Sequence, residues 1–119
     1  MAQKKYKLEI LAPARSEILE IARLHLELVG PVSARKITDR IKESLGRLRA
    51  HPFMGTELED RELRKLGYRR LIVGNYLCFY RLIGDTVFVY HIVDGRSDYP
   101  KLLSDLESAK NQQTDNESN

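Results

Sequence analysis

The spacing of apolar residues changes once along this chain, and that change limits the possible folds more than any other feature. Between residues 13 and 48 apolar side chains recur every three or four positions, whereas residues 68–93 contain three short runs rich in β-branched and aromatic residues. The first spacing is typical of amphipathic helices and the second composition is typical of strands. The chain therefore combines a helical first half with a second half built from strands.

Two consecutive helices are predicted in the first half. The first extends from Pro13 to about Val29, because proline suits a first helical turn and Gly30 can end the helix. The second begins near Ser33, whose hydroxyl can cap it, and ends before Pro52. The short connection between them predicts an αα-hairpin.

One strand precedes the hairpin and three follow it. Apolar and charged residues alternate over residues 5–11, which predicts the first strand. Gly-Asn and Gly-Asp pairs, typical of tight turns, separate the three later strands, which cover residues 68–73, 76–82 and 86–93. Because each helix must bury its apolar stripe, we expect an α+β fold in which an antiparallel sheet of about four strands carries the hairpin on one face.

The remaining segments complete a single domain over residues 1–107. Residues 51–65 have no clear period and are predicted to form a connecting loop. Pro100 can open a short last helix that carries Leu102, Leu103 and Leu106. Residues 108–119 have almost no apolar side chain, and we expect a disordered polar tail there.

Composition excludes several classes of protein. No run of about 18 apolar residues is present, and the segment after Met1 lacks the pattern of a signal peptide. Cys78 is the single cysteine, so no internal disulfide can form. We therefore expect a cytoplasmic protein without membrane contact. The formal charge of +3 and the pI near 9.1 favour acidic or nucleic-acid partners.

Arginine is the distinctive chemical feature of the sequence. Phosphate-binding glycine motifs, paired metal ligands and serine-hydrolase elbows are absent from it, so we expect neither a metal nor a cofactor. Arginine supplies 12 of the 20 basic residues, and its guanidinium suits bidentate contacts to phosphate or carboxylate. Arg69, Arg81 and Arg96 fall in or beside the predicted strands. An arginine on the outer face of a strand is also commonly a solvated charge that protects the sheet edge.

Two further residues are candidates for proton transfer. His91 lies in the middle of a predicted strand, where it is either a general acid or base facing a cleft or a packed, hydrogen-bonded residue, and we favour the second. Tyr99 follows Arg96 by three positions and can join it over a phosphate or cap the sheet edge. His25 lies on the apolar stripe of the first helix and is predicted to pack there.

Several segments, taken in their order and spacing, resemble the RelE/ParE toxin superfamily over residues 5–106. They include Ala14, Glu17, Ile18, Ile21, Leu48, Pro52 and Gly55, and above all NYLCFYR at residues 75–81 and VYHIVDGR at residues 89–96. The resemblance implies a small toxin of a bacterial type II toxin–antitoxin module, of the kind that supports plasmid stabilisation. It also implies a cognate antitoxin that wraps the toxin surface and silences it.

The resemblance implies one of two activities. ParE-like members poison DNA gyrase, whereas RelE-like members are ribosome-dependent mRNA endonucleases that need no metal and use basic side chains to stabilise the charged transition state. In the ribonuclease pattern Leu77 stands where a catalytic arginine is usual, and Arg69 and Leu71 match a lysine pair. Arg96 is kept, but Ser97 replaces a second basic residue. The Phe-Tyr-Arg ending of residues 79–81 and the long hairpin are closer to the ParE-like branch.

The sequence therefore predicts a growth-arresting toxin that inhibits DNA gyrase and is neutralised by an antitoxin. One alternative is an mRNA endonuclease in which Arg69, Arg81 and Arg96 clamp phosphate while His91 or Tyr99 moves protons. Another is a degenerate member that only binds an antitoxin. Because antitoxins often present acidic and apolar segments, we expect the antitoxin on the exposed surface of the hairpin and on the outer face of the sheet.

Overall fold

A computed structural model describes residues 5–96 together with Pro100 and Leu103. The elements in chain order are β1 (Lys7–Ile10), α1 (Ala12–Leu28), α2 (Pro31–Arg47), β2 (Thr56–Glu57), α3 (Arg61–Lys65), β3 (Arg69–Val73), β4 (Tyr76–Ile83) and β5 (Thr86–Asp94). The α+β class, the αα-hairpin and the three later strands are confirmed.

The sheet differs from the prediction in strand number and in one strand direction. Within residues 5–96 it has five strands in the order β1-β5-β4-β3-β2, because the two-residue β2 pairs with the start of β3. The first strand runs parallel to β5, with Lys7 opposite Thr86, so the sheet is not wholly antiparallel. The hairpin of α1 and α2 separates β1 from the meander in the sequence and leaves β1 at the edge beside the last strand. Local alternation cannot reveal such a distant pairing.

The segment predicted as a loop over residues 51–65 contains β2 and the one-turn-and-a-half helix α3. Asp60 caps α3, since its carboxylate accepts a hydrogen bond from the backbone N–H of Leu63 at 3.0 Å. Arg64 and Lys65 lie in the last turn, where positive charge suits the carbonyl end of a helix. Two and five residues are too few to show a period, which explains why the sequence predicted a loop.

The hairpin turn is shorter than predicted, because α2 begins at Pro31 rather than after a cap at Ser33. Gly30 stands before it with a φ of 139°, a conformation that side chains disfavour, and Pro31 supplies a fixed φ for the first turn. Ser33 consequently lies inside α2, and its hydroxyl contacts another residue instead of capping the helix.

Both faces of the sheet carry a hydrophobic core. The larger core lies between the sheet and the hairpin and contains Ala14, Ile18, Ile21, Ile41, Leu45, Leu48, Val73, Cys78, Tyr80, Val87, Val89 and Ile92. The smaller core lies on the opposite face and contains Leu58, Leu63, Tyr68, Phe79, Tyr90 and Leu103. The expectation of an open outer sheet face is therefore wrong over this second core, because the segment around α3 and the side chain of Leu103 cover it.

The structure describes two residues of the predicted last helix. Pro100 and Leu103 have helical backbone conformation, and Leu103 is fully buried. The other residues of the predicted last helix, and the predicted tail over residues 108–119, lie outside the described residues.

Candidate functional site

The three candidate arginines lie in different places on the sheet. Arg69 is opposite Tyr80 in the β3–β4 ladder, so it shares the hairpin face with that tyrosine, and Arg81 points to the opposite face because successive strand residues alternate. Arg96 follows the end of β5, where Asp94 is opposite Tyr76. Tyr76 and Tyr80 are four residues, or about 13 Å, apart along β4. The three guanidinium groups therefore do not form one cluster.

Arg81 is held inside the smaller core. Its Nε and Nη2 donate to the hydroxyl of Tyr90 at 3.1 and 2.8 Å, and its Nη1 donates to the carbonyl of Leu66 at 3.3 Å. The guanidinium carbon lies 4.6 Å from the centre of the Tyr68 ring and 5.1 Å from that of Tyr90. With 8% of the residue exposed, this arginine packs within the smaller core.

Arg69 is fixed at the edge of the hairpin face. Its Nη1 donates to the carbonyl of Gly55 at 3.1 Å, and its Nη2 lies 3.9 Å from the carboxylate of Glu57. The guanidinium also lies over the ring of Phe53 at 5.1 Å. Arg69, Phe53 and Glu57 line a small cavity of about 210 Å³, to which Arg64 adds a second positive charge.

Arg96 is the most exposed of the three, with 94% of its side chain accessible. Its backbone N–H and its Nε donate to Oδ1 of Asp94 at 2.9 and 3.1 Å, and these hydrogen bonds hold the pKa of Asp94 below its usual value. Arg96 lines a cavity of about 540 Å³ together with Asn75 and Leu77. The aliphatic Leu77 cannot bind phosphate, so this cavity offers one arginine rather than a pair.

His91 is packed against α1. Its Nδ1 lies 3.1 Å from the carboxylate of Glu17, and the same carboxylate accepts a hydrogen bond from the backbone N–H of Ile92 at 3.0 Å. Strand β1 pairs with β5 only as far as Val89, so the side chain of Glu17 occupies the strand edge beyond it. This arrangement agrees with the interpretation of His91 as a hydrogen-bonded sheet residue. Tyr99 lies outside the described residues.

A cluster that the sequence analysis did not identify joins three elements at the end of the hairpin. The Nδ1 of His25 lies 2.9 Å from the hydroxyl of Ser33, and its Nε2 lies 3.0 Å from the hydroxyl of Tyr76. Burial, with a smaller effect of Asp94, raises the pKa of Tyr76. Tyr76 is 51 positions from His25 in the sequence, which explains why spacing alone could not find the contact.

An open cleft of about 570 Å³ lies beside this cluster, and we call it the hairpin-end cleft. It combines apolar side chains from the hairpin turn with two basic side chains from α2. Its walls include His25, Val29, Val32, Ser33, Lys36 and Arg40. Such a surface can bind a ligand that carries both aliphatic groups and negative charge.

The buried thiol of Cys78 predicts how the stability of the protein depends on pH. Burial between sheet and hairpin, with a smaller effect of Glu17, raises the pKa of its thiol from about 9 to about 12. Below pH 9 the thiol keeps its proton in both the folded and the unfolded chain. Above pH 9 only the unfolded chain releases this proton. The free energy of unfolding should therefore fall by about 1.4 kcal/mol per pH unit until the pKa of the folded state is reached. Urea unfolding at about pH 8 and about pH 10 measures this loss.

The matched variant for this prediction is Cys78→Ala. Its loss of stability between the two pH values should be smaller than that of the wild type, because the thiol no longer contributes. Tyr76 and Tyr80, whose pKa values burial also raises, remain in both proteins and contribute to the loss that the two proteins share. Equal losses in the two proteins would contradict the assignment to Cys78.

Two negative findings apply to the part of the chain that the structure describes. Within residues 5–96, with Pro100 and Leu103, histidine, cysteine and carboxylate side chains nowhere group in threes that could hold a metal ion. No helix in the same part of the chain has the length and apolar character needed to cross a membrane.

Comparisons with known proteins agree with the fold. A family model described as the ParE toxin of the type II toxin–antitoxin system parDE matches residues 8–99. A structure of the chromosomal ParDE system from P. aeruginosa is 20% identical with a TM-score of 0.65, covering 76% of this chain and 97% of that chain. The RelBE2 toxin–antitoxin complex from Mycobacterium tuberculosis is 20% identical with a TM-score of 0.55, covering 78% and 94%. No curated protein gives a significant match.

Proposed function

Since the chain belongs to the ParE toxin family of type II toxin–antitoxin systems, we propose that it arrests bacterial growth by inhibiting DNA gyrase in the cytoplasm and that a cognate antitoxin neutralises it. The antitoxin part is supported by the two similar structures, one of a ParDE system and one of a RelBE2 toxin–antitoxin complex. The gyrase part is supported by the closer match of the sequence to the ParE-like branch.

The observation that carries the choice of gyrase over RNA cleavage is the separation of the candidate catalytic residues. A metal-independent ribonuclease needs several basic groups around one phosphate. Among the described residues, Arg69 and Arg81 lie on opposite faces of the sheet and Arg96 lies near the far end of β4. His91 is directed to the carboxylate of Glu17. A protein that acts by binding its target needs no such cluster.

The ribonuclease alternative depends on Arg96, whose guanidinium is exposed beside a cavity of about 540 Å³. In that alternative Arg96 stabilises the phosphate, and Arg96→Ala abolishes toxicity and transcript cleavage together. Retained cleavage in this variant would exclude Arg96 from that role. Arg81→Ala does not provide the same test, because Arg81 lies in the smaller core.

Inducible expression with paired pulse labelling of DNA and protein synthesis tests the proposal. We expect DNA synthesis to fall first, with induction of the SOS response, and we expect the purified protein to inhibit supercoiling by gyrase. An earlier fall in protein synthesis with transcripts cut on ribosomes would overturn the gyrase proposal in favour of RNA cleavage. Expression without any growth defect would indicate a degenerate member that only binds an antitoxin.

A further inference from the structure

The turn of the hairpin exposes a cluster of aliphatic side chains. Leu28, Val29 and Val32 are 74%, 73% and 69% exposed, although they are close together around Gly30 and Pro31. Single exposed aliphatic residues are common on protein surfaces, but adjacent ones usually mark an interaction site. This apolar cluster continues into the hairpin-end cleft, where Val29 and Val32 form part of the wall.

The basic side chains at the rim of the cleft have no carboxylate partner among the described residues. Lys36 and Arg40 form no ion pair within residues 5–96, and Arg40 lies against the β3–β4 turn at Gly74. Some other surface cations do have such partners, among them Lys7 with Asp85, Arg23 with Glu20 and Glu27, and Arg96 with Asp94. The rim therefore presents positive charge that an acidic partner can neutralise.

The walls of the cleft are held together in the absence of a partner. The imidazole of His25 in α1 contacts the hydroxyl of Ser33 in α2 and that of Tyr76 in β4. These contacts fix the two helices relative to the sheet at the place where Val29, Val32, Lys36 and Arg40 meet. A surface that is already ordered loses little conformational entropy when a partner binds.

We propose that the hairpin-end cleft binds an acidic amphipathic segment of the cognate antitoxin. Aliphatic side chains of that segment pack against Val29 and Val32, and its carboxylates pair with Lys36 and Arg40. The inference rests on the proposed function for the existence of an antitoxin, and it adds the surface and the chemistry of the contact. An antitoxin fits better than gyrase, because a long-lived complex keeps the aliphatic cluster covered whereas a target met after release does not.

Charge reversal on α2 tests the electrostatic part. The variant Lys36→Glu/Arg40→Glu alters the cleft, and Arg35→Glu/Lys42→Glu is the matched control, since it makes the same charge change on another flank of the same helix at about 100° per residue. We expect the affinity for the antitoxin encoded beside the toxin gene to fall about 100-fold in the cleft variant and less than about threefold in the control. The deficit should shrink at high salt.

Substitutions in the turn test the apolar part. Val29→Ser/Val32→Ser should weaken antitoxin binding about tenfold with little dependence on salt. Leu19→Ser is the control, because Leu19 is 72% exposed on α1 but does not line the cleft. Circular dichroism of every variant establishes that the fold is retained, and all substituted side chains are on the surface.

Growth assays with co-expressed antitoxin distinguish failure of the inference from failure of the proposed function. We expect the antitoxin to rescue cells that express the wild type or the control and not cells that express the cleft variant. A cleft variant that binds the antitoxin normally overturns the inference. If that variant also no longer inhibits gyrase, the cleft is instead the surface that binds the target. A wild type that binds antitoxin through the cleft without inhibiting gyrase leaves the inference intact and overturns the gyrase proposal. An antitoxin that does not bind the wild type overturns the inference together with the antitoxin part of the proposed function, and leaves gyrase inhibition to be judged by the supercoiling assay.

Discussion

Replacing Arg81 with alanine should lower the free energy of unfolding by about 2–4 kcal/mol, because hydrogen bonds from a charged donor and its contacts with two aromatic rings are lost together. The guanidinium donates twice to the hydroxyl of Tyr90 and once to the carbonyl of Leu66, and it lies over the ring of Tyr68. Urea unfolding followed by circular dichroism at neutral pH measures the change.

Arg96→Ala is the matched control for this prediction. It removes the same charge from an exposed side chain whose contact is a surface ion pair, and such pairs contribute little to stability. We expect a change within about 0.5 kcal/mol. If the two variants lose the same stability, the core assignment of Arg81 is wrong. If the prediction holds, a loss of toxicity in Arg81→Ala reports unfolding and not catalysis.

Gly55→Ala should destabilise the protein by about 2–3 kcal/mol, because an added Cβ would lie in space that is already filled. That atom would stand 2.5 Å from the backbone oxygen of Arg70 and 2.7 Å from the hydroxyl of Tyr80. The backbone N–H of Gly55 also donates to this hydroxyl at 2.9 Å, so the glycine cannot move away without breaking a buried hydrogen bond. Thermal and urea unfolding measure the loss.

Gly46→Ala provides the control for Gly55→Ala with an identical chemical change. An added Cβ at Gly46 meets nothing within 4 Å, and the residue lies inside α2. Alanine in an open helical position is favourable by up to about 1 kcal/mol relative to glycine, so this variant should be slightly more stable than the wild type. A neutral effect of Gly55→Ala would show that the loop before β2 adapts more easily than its contacts imply.

The sequence predicted the elements whose patterns are long enough to be recognised. Both long helices and β3, β4 and β5 follow from apolar spacing and from the Gly-Asn and Gly-Asp turns. The short elements β2 and α3 contain too few residues for a period. The parallel pairing of β1 with β5 depends on packing of the whole hairpin, which no local pattern records.

The candidate site could be predicted by residue type but not by geometry. Arginine composition singled out Arg69, Arg81 and Arg96, yet only the β3–β4 register shows that the first two lie on opposite faces. The hydrogen bond that holds His25 beside the hairpin-end cleft comes from Tyr76 in the meander. Contacts between residues so far apart in sequence arise from tertiary structure, so the sequence offered no signal for them.

The pairing of the first strand with the last also has a consequence for synthesis of the protein. Lys7 leaves the ribosome long before Thr86, its partner in the sheet, and β1 then has no neighbour with which to pair. Contacts between distant parts of a chain slow folding, because the loop between them must close first. The complete sheet therefore forms only after β5 has been made, and a nascent chain that stops before β5 cannot assemble it.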